Sequence, residues 1–199
     1  HCISSAASDV YKRQPSRKVL TNMSLRKLHK YISLLVSLQL LLWTISGIYF
    51  SFNKIENVRG EQYYKTQAVE ETVVPTNVKK VSQAFAFEVI EEETFLTPLN
   101  IELIEEAKTG SEYRGRELPL YKVVAENDKG EEINIYQNPY TGEILAIRSQ
   151  QWRIWDLMWG LHIMDWNERD NIGNIFLKIF SFIALFTAAT GIILFFKRR

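Results

Sequence analysis

Two long apolar runs limit the folds that this chain can adopt. Residues 31–52 contain no charged side chain, and residues 172–196 contain only Lys178, near the start of the run, where it can snorkel to the interface. As a helix, the first run is about 33 Å long, enough to cross the hydrocarbon core of a bilayer. It is too long for a signal peptide, and no small-x-small cleavage site follows it. The sequence therefore predicts two transmembrane helices.

The charges are distributed unevenly around these runs. Of the 23 acidic residues, 22 lie within residues 53–171, which carry only 13 Lys or Arg and therefore a net charge of −9. Basic residues flank both runs, in residues 15–30 and in residues 197–199. The positive-inside rule predicts that both termini lie in the cytoplasm and that residues 53–171 lie outside, in the periplasm or at the cell exterior. A nucleic-acid surface is not expected, because the basic residues lie at membrane flanks instead of on one folded face.

The first residues do not look like part of the natural protein. Residues 9–14, DVYKRQ, match the translation of a transposase adapter used in sequencing libraries, and the chain begins without Met. We therefore interpret residues 1–14 as translated adapter and exclude them. That exclusion removes Cys2, the only cysteine, and with it any disulfide, thiol nucleophile or cysteine metal site. It also leaves two histidines, His29 and His162.

The central segment predicts a small α+β domain over residues 53–151. Periodicity indicates a helix over residues 76–93 with Thr76 or Asn77 as its cap, and alternation indicates a strand over residues 100–107. Two hairpins follow, built from LPLYKVVAEN, INIYQ and ILAIR around the turns DKGEE and NPYTGE. The result is an antiparallel sheet with a helix on one face. The segment has no phosphate-binding loop and no catalytic triad pattern, so no catalytic residue is predicted and enzyme activity stays open.

Both apolar runs carry small residues at helical spacing. These are Ser33, Ser37, Thr44 and Gly47 in the first run, and Ser181, Ala184, Ala188 and Gly191 in the second. Small residues allow helix backbones to approach closely, so we interpret them as packing surfaces. A chain with only two spans would still need partners in the bilayer, which favours a homodimer or a larger membrane complex.

Three stretches resemble one known family. EEINIYQNPYTGEILAIR is similar to the closing hairpin of PepSY domains, and RKLHKYISLLVSLQLLLWTISGIYFSF resembles the first span of PepSY-associated transmembrane proteins. GLHIMDW followed by TAATGIILFFKRR resembles the last span of that family. The resemblance covers residues 24–199 and implies a membrane α+β fold, with two transmembrane helices flanking an extracytoplasmic PepSY domain. Larger members have more spans and often two PepSY units.

The resemblance also implies a function. Some members are linked to iron acquisition and resemble haem-containing reductases that pass electrons to ferric siderophores. We therefore expect a haem-binding electron-transfer or accessory component of ferric siderophore uptake, with haem b as the cofactor. Because the chain has no flavin or nicotinamide fingerprint, its electrons would come from quinol or another protein. PepSY domains also occur in peptidase propeptides, so the alternative is a peptidase-regulating or protein-binding module without a cofactor. A third possibility is a structural subunit that docks to a larger partner.

The candidate cofactor site centres on His162. Residues 152–166, WRIWDLMWGLHIMDW, predict an amphipathic helix at the membrane interface. Helical spacing places Met158, Trp159 and Asp165 beside His162. One interpretation is an aromatic belt at the headgroup level, in which a histidine is tolerated. The other is haem ligation, with Trp159 and Met158 against the porphyrin and Asp165 accepting the proton of the second ring nitrogen.

His29 lies in RKLHKY, at the opposite end of the first span. It belongs to a basic cluster that contacts lipid phosphates, or it is a second haem ligand. The two histidines would be about 30 Å apart if the spans cross fully, so they cannot hold the same iron. A ligand role therefore requires the same histidine from two chains of a dimer.

Overall fold

The computed structural model describes residues 25–65 and 79–197. The expectations for the adapter residues 1–14, for most of the basic N-terminal segment and for the caps Thr76 and Asn77 lie outside the described residues. So do the last two residues of the basic C-terminus.

The described residues form five α-helices, one short 3-10 helix and four β-strands. In chain order these are α1 (Leu25–Phe52), α2 (Ile55–Arg59), the 3-10 helix (Glu61–Tyr63), α3 (Gln83–Glu93), β1 (Thr97–Ile104), β2 (Leu120–Glu126), β3 (Glu132–Gln137), β4 (Ile144–Arg148), α4 (Gln150–Ile163) and α5 (Ile175–Phe196).

α1 and α5 are each long and apolar enough to cross a membrane. α1 begins before the predicted span and includes its basic flank, whereas α5 begins at Ile175 because Asn174 caps it. The Asn174 side chain accepts a hydrogen bond from the backbone N–H of Leu177 at 2.8 Å. The two helices pack antiparallel, since His29 near the start of α1 contacts Thr190 near the end of α5. Most of their large apolar side chains are exposed, as expected of surfaces that face lipid.

The four strands form one antiparallel sheet in the order β1-β2-β3-β4. α3 covers one face and inserts the fully buried Ile90 into a core formed with Leu96, Val123, Ala125, Ile133, Ile135 and Ile147. β4 occupies residues 144–148, the segment predicted from its apolar pattern. The predicted membrane α+β fold is therefore confirmed: two apolar helices flank a small domain with an antiparallel sheet and a helix on one face.

Two boundaries in this domain differ from the sequence prediction. α3 begins at Gln83, and its cap is Ser82, whose hydroxyl accepts from the backbone N–H of Phe85 at 3.2 Å. The preceding Val81 is not helical because its N–H donates to the carbonyl of Pro139 in the β3–β4 turn, at 2.8 Å. β1 begins at Thr97, three residues before the predicted strand. The hydrogen bond from Val81 to this sequence-distant turn therefore prevents the helix from starting where the local apolar period predicted it.

The second face of the sheet is covered by the loop of residues 105–119. Tyr113 from this loop packs on Leu120, Tyr136 and Ala146. Its neighbour Glu112 uses both carboxylate oxygens. Glu112 Oε2 accepts from the Asn134 amide at 2.7 Å and from the Tyr136 hydroxyl at 3.1 Å, and Oε1 accepts from Arg153 Nε of α4 at 2.6 Å. Glu112 thus connects the sheet to α4.

A second carboxylate on α4 strengthens this connection. Asp156 is 1% exposed and holds two arginines, Arg114 from the same loop and Arg169 from the loop after α4. Arg169 Nη1 lies 2.7 Å from Asp156 Oδ2, and Arg114 Nη2 contacts Oδ1. A buried carboxylate requires such paired donors, because an unpaired buried charge is strongly destabilising. The central domain and α4 are therefore joined by charge-assisted hydrogen bonds at two points.

Replacing Glu112 with glutamine is expected to destabilise the chain in a pH-dependent manner. Burial alone would raise the pKa of the Glu112 carboxyl, but hydrogen bonds from Arg153, Asn134 and Tyr136 outweigh burial and hold that pKa below its usual value. A lowered pKa in the folded state adds stability above the unfolded pKa, and this stability is lost as the pH falls through the folded pKa. We expect E112Q to lower the free energy of unfolding by about 2 kcal/mol at pH 7.

Thermal unfolding of the detergent-purified protein at a series of pH values measures this effect. The difference between E112Q and wild type should shrink as the pH falls below the usual glutamate range, because the wild-type carboxyl then becomes protonated. The matched control is Glu102→Gln, an exposed glutamate on β1. A difference that is constant down to strongly acidic pH would contradict the assignment of the lowered pKa.

Candidate functional site

α4 runs alongside α1 in the opposite direction. Near its start, the Gln151 amide donates to Asn53 Oδ1 at 3.0 Å, just beyond the end of α1. Near its end, the Leu161 carbonyl accepts from Gln39 Nε2 at 3.3 Å, in the middle of α1. A helix over residues 150–163 is thus observed where the sequence predicted an interfacial helix over 152–166, and it packs lengthwise on α1. It ends at Ile163 because Met164 adopts the left-handed conformation, with φ of 56°.

Side chains from both membrane helices cap the last turn of α4. The carbonyls of Leu161, His162 and Ile163 would have no helical partner. Gln39 donates to the first, Trp43 Nε1 donates to the second at 2.7 Å, and Asn174 Nδ2 donates to the third at 2.8 Å. Unpaired carbonyls are costly in apolar surroundings, so these three donors fix where α4 ends. They also fix the backbone of His162.

The imidazole of His162 is held by Ser46 of α1. His162 Nδ1 lies 2.7 Å from Ser46 Oγ. Ser46 Oγ also lies 3.1 Å from the carbonyl of Trp43; when the hydroxyl donates to that carbonyl, it accepts from Nδ1–H. Burial lowers the pKa of His162, which favours the neutral ring. This arrangement leaves an unprotonated Nε2, which no other described residue contacts by a hydrogen bond, and a neutral imidazole of this kind can ligate a metal.

Aromatic rings surround this imidazole on one side. Trp159 is stacked on it with ring centroids 6.3 Å apart and planes inclined by 9°. Trp155 continues the stack at 5.6 Å from Trp159, and Phe50 of α1 meets the imidazole edge-on at 5.7 Å. Met158 lies half-buried one turn before His162 on α4. Trp159, Met158 and His162 therefore lie on one helix, as their spacing in the sequence predicted.

Asp165 does not have the position that the helical pattern predicted. The helix has ended before Asp165, so its side chain is not one turn beyond His162. Its carboxylate instead accepts from the backbone N–H groups of Glu168, Asp170 and Asn171 at 3.0 to 3.2 Å. Desolvation opposes these hydrogen bonds, but they lower the pKa of Asp165. The prediction that Asp165 accepts a proton from His162 is therefore wrong. The residue that lies at His162 Nδ1 is Ser46.

His29 lies in an arrangement similar to that of His162. His29 Nδ1 is 2.7 Å from Thr190 Oγ1 of α5, and that hydroxyl donates to the carbonyl of Phe186 at 2.9 Å. On the other side of the ring, Ser33 Oγ is 3.3 Å from Nε2. A Cβ added at Gly191 would lie 3.4 Å from His29 Cε1, an ordinary van der Waals contact, so only a side chain larger than alanine would press on the ring. Both nitrogens of His29 therefore face hydroxyl groups between the two spans.

The two histidine contacts follow one sequence pattern. Each histidine follows a leucine, in Leu28-His29 and Leu161-His162, and each contacts a hydroxyl residue that precedes a glycine in the other element. Those hydroxyl residues are Ser46 of TISG and Thr190 of TAATG. The similar helix endings TISGIYF and TAATGIILF were the available signal for these partners. Sequence reasoning missed the partners because it treated both motifs as packing surfaces only.

The two histidines lie far apart in the structure, too far to bind the same iron. His29 and Ser46, the partner of His162, are about 25 Å apart along α1 at the rise of an α-helix. The small-residue stripe of α5 is divided: Ala184 and Gly191 are half-buried, while Ser181 and Ala188 remain exposed.

Gly191 offers a test of the contact between the spans. Gly191→Leu should push His29 away from Thr190 and lower the free energy of unfolding by about 2 kcal/mol, because the added side chain overpacks the helix contact. Ala189→Leu is the matched control, since Ala189 is exposed on the same helix. Thermal unfolding of both variants in the same detergent measures the difference. Equal stability of the two variants would contradict the proposed role of Gly191.

Comparison with known proteins identifies one family. The family model described as the PepSY-associated TM region matches residues 26–199, which include both spans, the sheet and both histidines. No curated protein and no solved structure matches the chain. Because the family model covers most of the chain, this protein belongs to the family of PepSY-associated transmembrane proteins.

Proposed function

We propose that this protein is a haem-binding electron-transfer or accessory component of ferric siderophore uptake in the bacterial inner membrane. The observation that carries the proposal is the hydrogen bond between His162 Nδ1 and Ser46 Oγ. In the proposed tautomer the Ser46 hydroxyl donates to the carbonyl of Trp43 and accepts from Nδ1–H, so the imidazole presents an unprotonated Nε2. Histidines that ligate metals commonly donate their other ring N–H in this way.

The residues around His162 fit one side of a haem b group. The imidazole would supply a ligand nitrogen to the iron, and the side chains of Trp155, Trp159 and Phe50 would keep its surroundings apolar. Haem b in this position would supply one-electron redox chemistry. The residues of this chain would keep the imidazole neutral and fixed in orientation, and they would keep its surroundings apolar. Both features influence the reduction potential of a bound haem. Quinol or another protein is the proposed electron donor.

A homodimer is the proposed assembly. One chain offers a single His162, so two axial histidines require a second copy related by two-fold symmetry. Ser37, Thr44 and Gly47 form an exposed small-residue face on α1. The hydroxyls of Ser37 and Thr44 bond to carbonyls of their own helix, so this face offers a close approach without unsatisfied polar groups.

His29 fits a ligand role less well. Its Nε2 already faces Ser33, and its ring lies against Gly191. A second haem at this end would require Ser33 to turn away from Nε2. We therefore assign metal ligation to His162, and we propose that His29 mainly holds α1 against α5 through Thr190.

The orientation in the membrane is part of the proposal. Basic residues at both ends of the chain favour cytoplasmic termini and a periplasmic central domain. With this topology, His162 would lie near the periplasmic face, where a ferric siderophore could accept an electron.

The absorption spectrum of detergent-purified protein, expressed with ample haem, tests the haem proposal. We expect a Soret band and a reduced-minus-oxidised difference spectrum for wild type, and at least a tenfold loss of bound haem in His162→Ala, because the axial ligand is removed. His29→Ala is the matched control and should retain haem. Wild-type protein without a Soret band, or His162→Ala with the wild-type spectrum, would refute the proposal.

The role of Ser46 has a test of its own. Ser46→Ala removes the acceptor of Nδ1–H, so we expect weaker haem retention and a changed reduction potential, with the ligand itself unchanged. Ser51→Ala is the control, because its exposed hydroxyl bonds only to the carbonyl of Ile48 in its own helix. Redox titration of the haem band measures both variants. Identical potentials for Ser46→Ala and wild type would contradict a positioning role for Ser46.

The alternative function, a protein-binding module without a cofactor, is favoured by the edge of the sheet. β1 is an edge strand whose only strand partner in the described chain is β2, and Leu99 and Leu103 on it are exposed. Such an edge can accept an extended peptide as an additional strand. This function would not depend on His162, so protein without haem that retains a specific partner would favour it.

A further inference from the structure

β1 (Thr97–Ile104) forms one edge of the sheet. Its strand partner in the described chain is β2, and no described residue outside β2 makes a backbone hydrogen bond to it. At the opposite edge, α2 packs against β4, and α4 follows β4 directly. The outward N–H and C=O groups of an edge strand can pair with a further strand. β1 is therefore the place where the sheet can be extended.

The regular part of this edge is residues 100–104. The register between β1 and β2 shifts between Pro98 and Asn100, so Leu99 forms a bulge, and beyond it the pairing is continuous to Ile104. A bulge and a proline discourage unspecific pairing at the start of the strand. The remaining five positions are within the normal length of a short strand.

The exposed side chains of this part differ in chemistry on the two faces of the sheet. Glu102 and Leu103 are both exposed, and neighbouring residues of a strand point to opposite faces. Leu103 lies on the same face as Ile101, which packs on the core under α3. Glu102 lies on the other face. An added strand in which basic and apolar residues alternate would therefore place a basic residue beside Glu102 and an apolar residue beside Leu103.

Glutamates of α3 flank the same edge. α3 packs on β1. On one side of α3, Phe85 and Val89 adjoin the β3–β4 turn, where a Cβ added at Gly142 would lie 2.9 Å from the first and 3.4 Å from the second. Glu91 follows Val89 by two residues, about 200° around the helix, and therefore projects from the opposite side, toward the free edge.

The edge and its flank are acidic. Residues 81–107 contain seven glutamates and no lysine or arginine. Three lysines from outside the segment lie against it, namely Lys80 at Glu105, Lys122 opposite Glu102, and Lys65 over the Phe95 ring. Seven glutamates against these three lysines leave a charge of −4, and counting Lys79 and Lys108, which flank the segment in the chain, leaves −2. The negative charge therefore remains when all five lysines are included.

We propose that β1 binds an extended peptide with alternating basic and apolar residues as a fifth strand of the sheet. Main-chain hydrogen bonds to the edge would supply affinity, and the carboxylates of Glu91 and Glu102 would select a basic partner over an acidic one. The proposal rests on the protein-binding alternative given above and names its partner. It does not involve haem, so its test is separate from that of the haem proposal.

Hydrogen–deuterium exchange of the detergent-purified full chain locates the binding. The probe is a synthetic peptide of about ten residues in which lysine and valine alternate. The peptide should slow exchange of the β1 amides by at least about tenfold and leave β4 unchanged, because an added strand protects only the groups that it pairs with. A peptide in which proline replaces valine carries the same charge but lacks the N–H groups of those positions, and it should not protect β1. No added protection in β1 by the lysine–valine peptide, or equal protection by both peptides, would overturn the proposal.

Charge reversal at the edge tests the choice of partner. Glu102→Lys should weaken binding of the labelled lysine–valine peptide, measured by fluorescence anisotropy, by about fivefold, because it places like charges on adjacent strands. Glu56→Lys is the matched control, since Glu56 is an exposed residue of α2, which packs at the opposite edge. His162→Ala should bind the peptide like wild type, which separates this result from any loss of haem. Equal weakening by Glu102→Lys and Glu56→Lys would indicate charge attraction without strand addition and would overturn the proposal.

Discussion

The hydrogen bonds to the last carbonyls of α4 hold α4, α1 and the start of α5 together. Its last carbonyls lie against apolar membrane helices, where an unpaired carbonyl would cost several kcal/mol. Gln39 and Trp43 of α1 and Asn174 at the start of α5 supply the donors, so one end of α4 joins three segments of the chain. Gln39 is a buried polar residue in a membrane helix, and this contact explains its presence there. The same contacts set the height of His162 along α1.

The imidazoles of His162 and His29 have comparable hydrogen-bond environments. His162 reaches the hydroxyl of Ser46, and His29 reaches that of Thr190, with each hydroxyl donating onward to a carbonyl of its own helix. A hydroxyl that donates to its own helix carbonyl can accept a hydrogen bond from Nδ1–H, and this geometry favours the Nδ1–H tautomer in both rings. The surroundings then distinguish the two rings. Ser33 contacts Nε2 of His29, whereas aromatic rings surround His162 and leave its Nε2 without a hydrogen-bond partner in the described chain.

The features that the sequence predicted correctly are those that depend on local patterns. The two spans follow from uninterrupted apolar length, and β4 at Ile144–Arg148 follows from a turn before a short apolar strand. The features that it did not predict depend on contacts between distant residues. Asp165 leaves the helical face because Met164 turns left-handed, and the neighbouring loop supplies N–H groups to its carboxylate. Likewise, a hydroxyl at Ser46 looks like a packing residue until α4 is placed beside it.

α4 has two faces that carry different chemistry, and this relates the histidine site to the central domain. Trp155, Trp159 and His162 meet Phe50 and Ser46 of α1, whereas Arg153 and Asp156 bond to the loop over the sheet. Separating the domain from α4 would break the Arg114–Asp156 and Glu112–Arg153 ion pairs, and these part-buried charges make that costly, by several kcal/mol. The domain and α4 should therefore move as one unit. A displacement of the domain would then rotate or shift α4 against α1, and it would act on the Ser46–His162 contact without any direct contact between the domain and the imidazole.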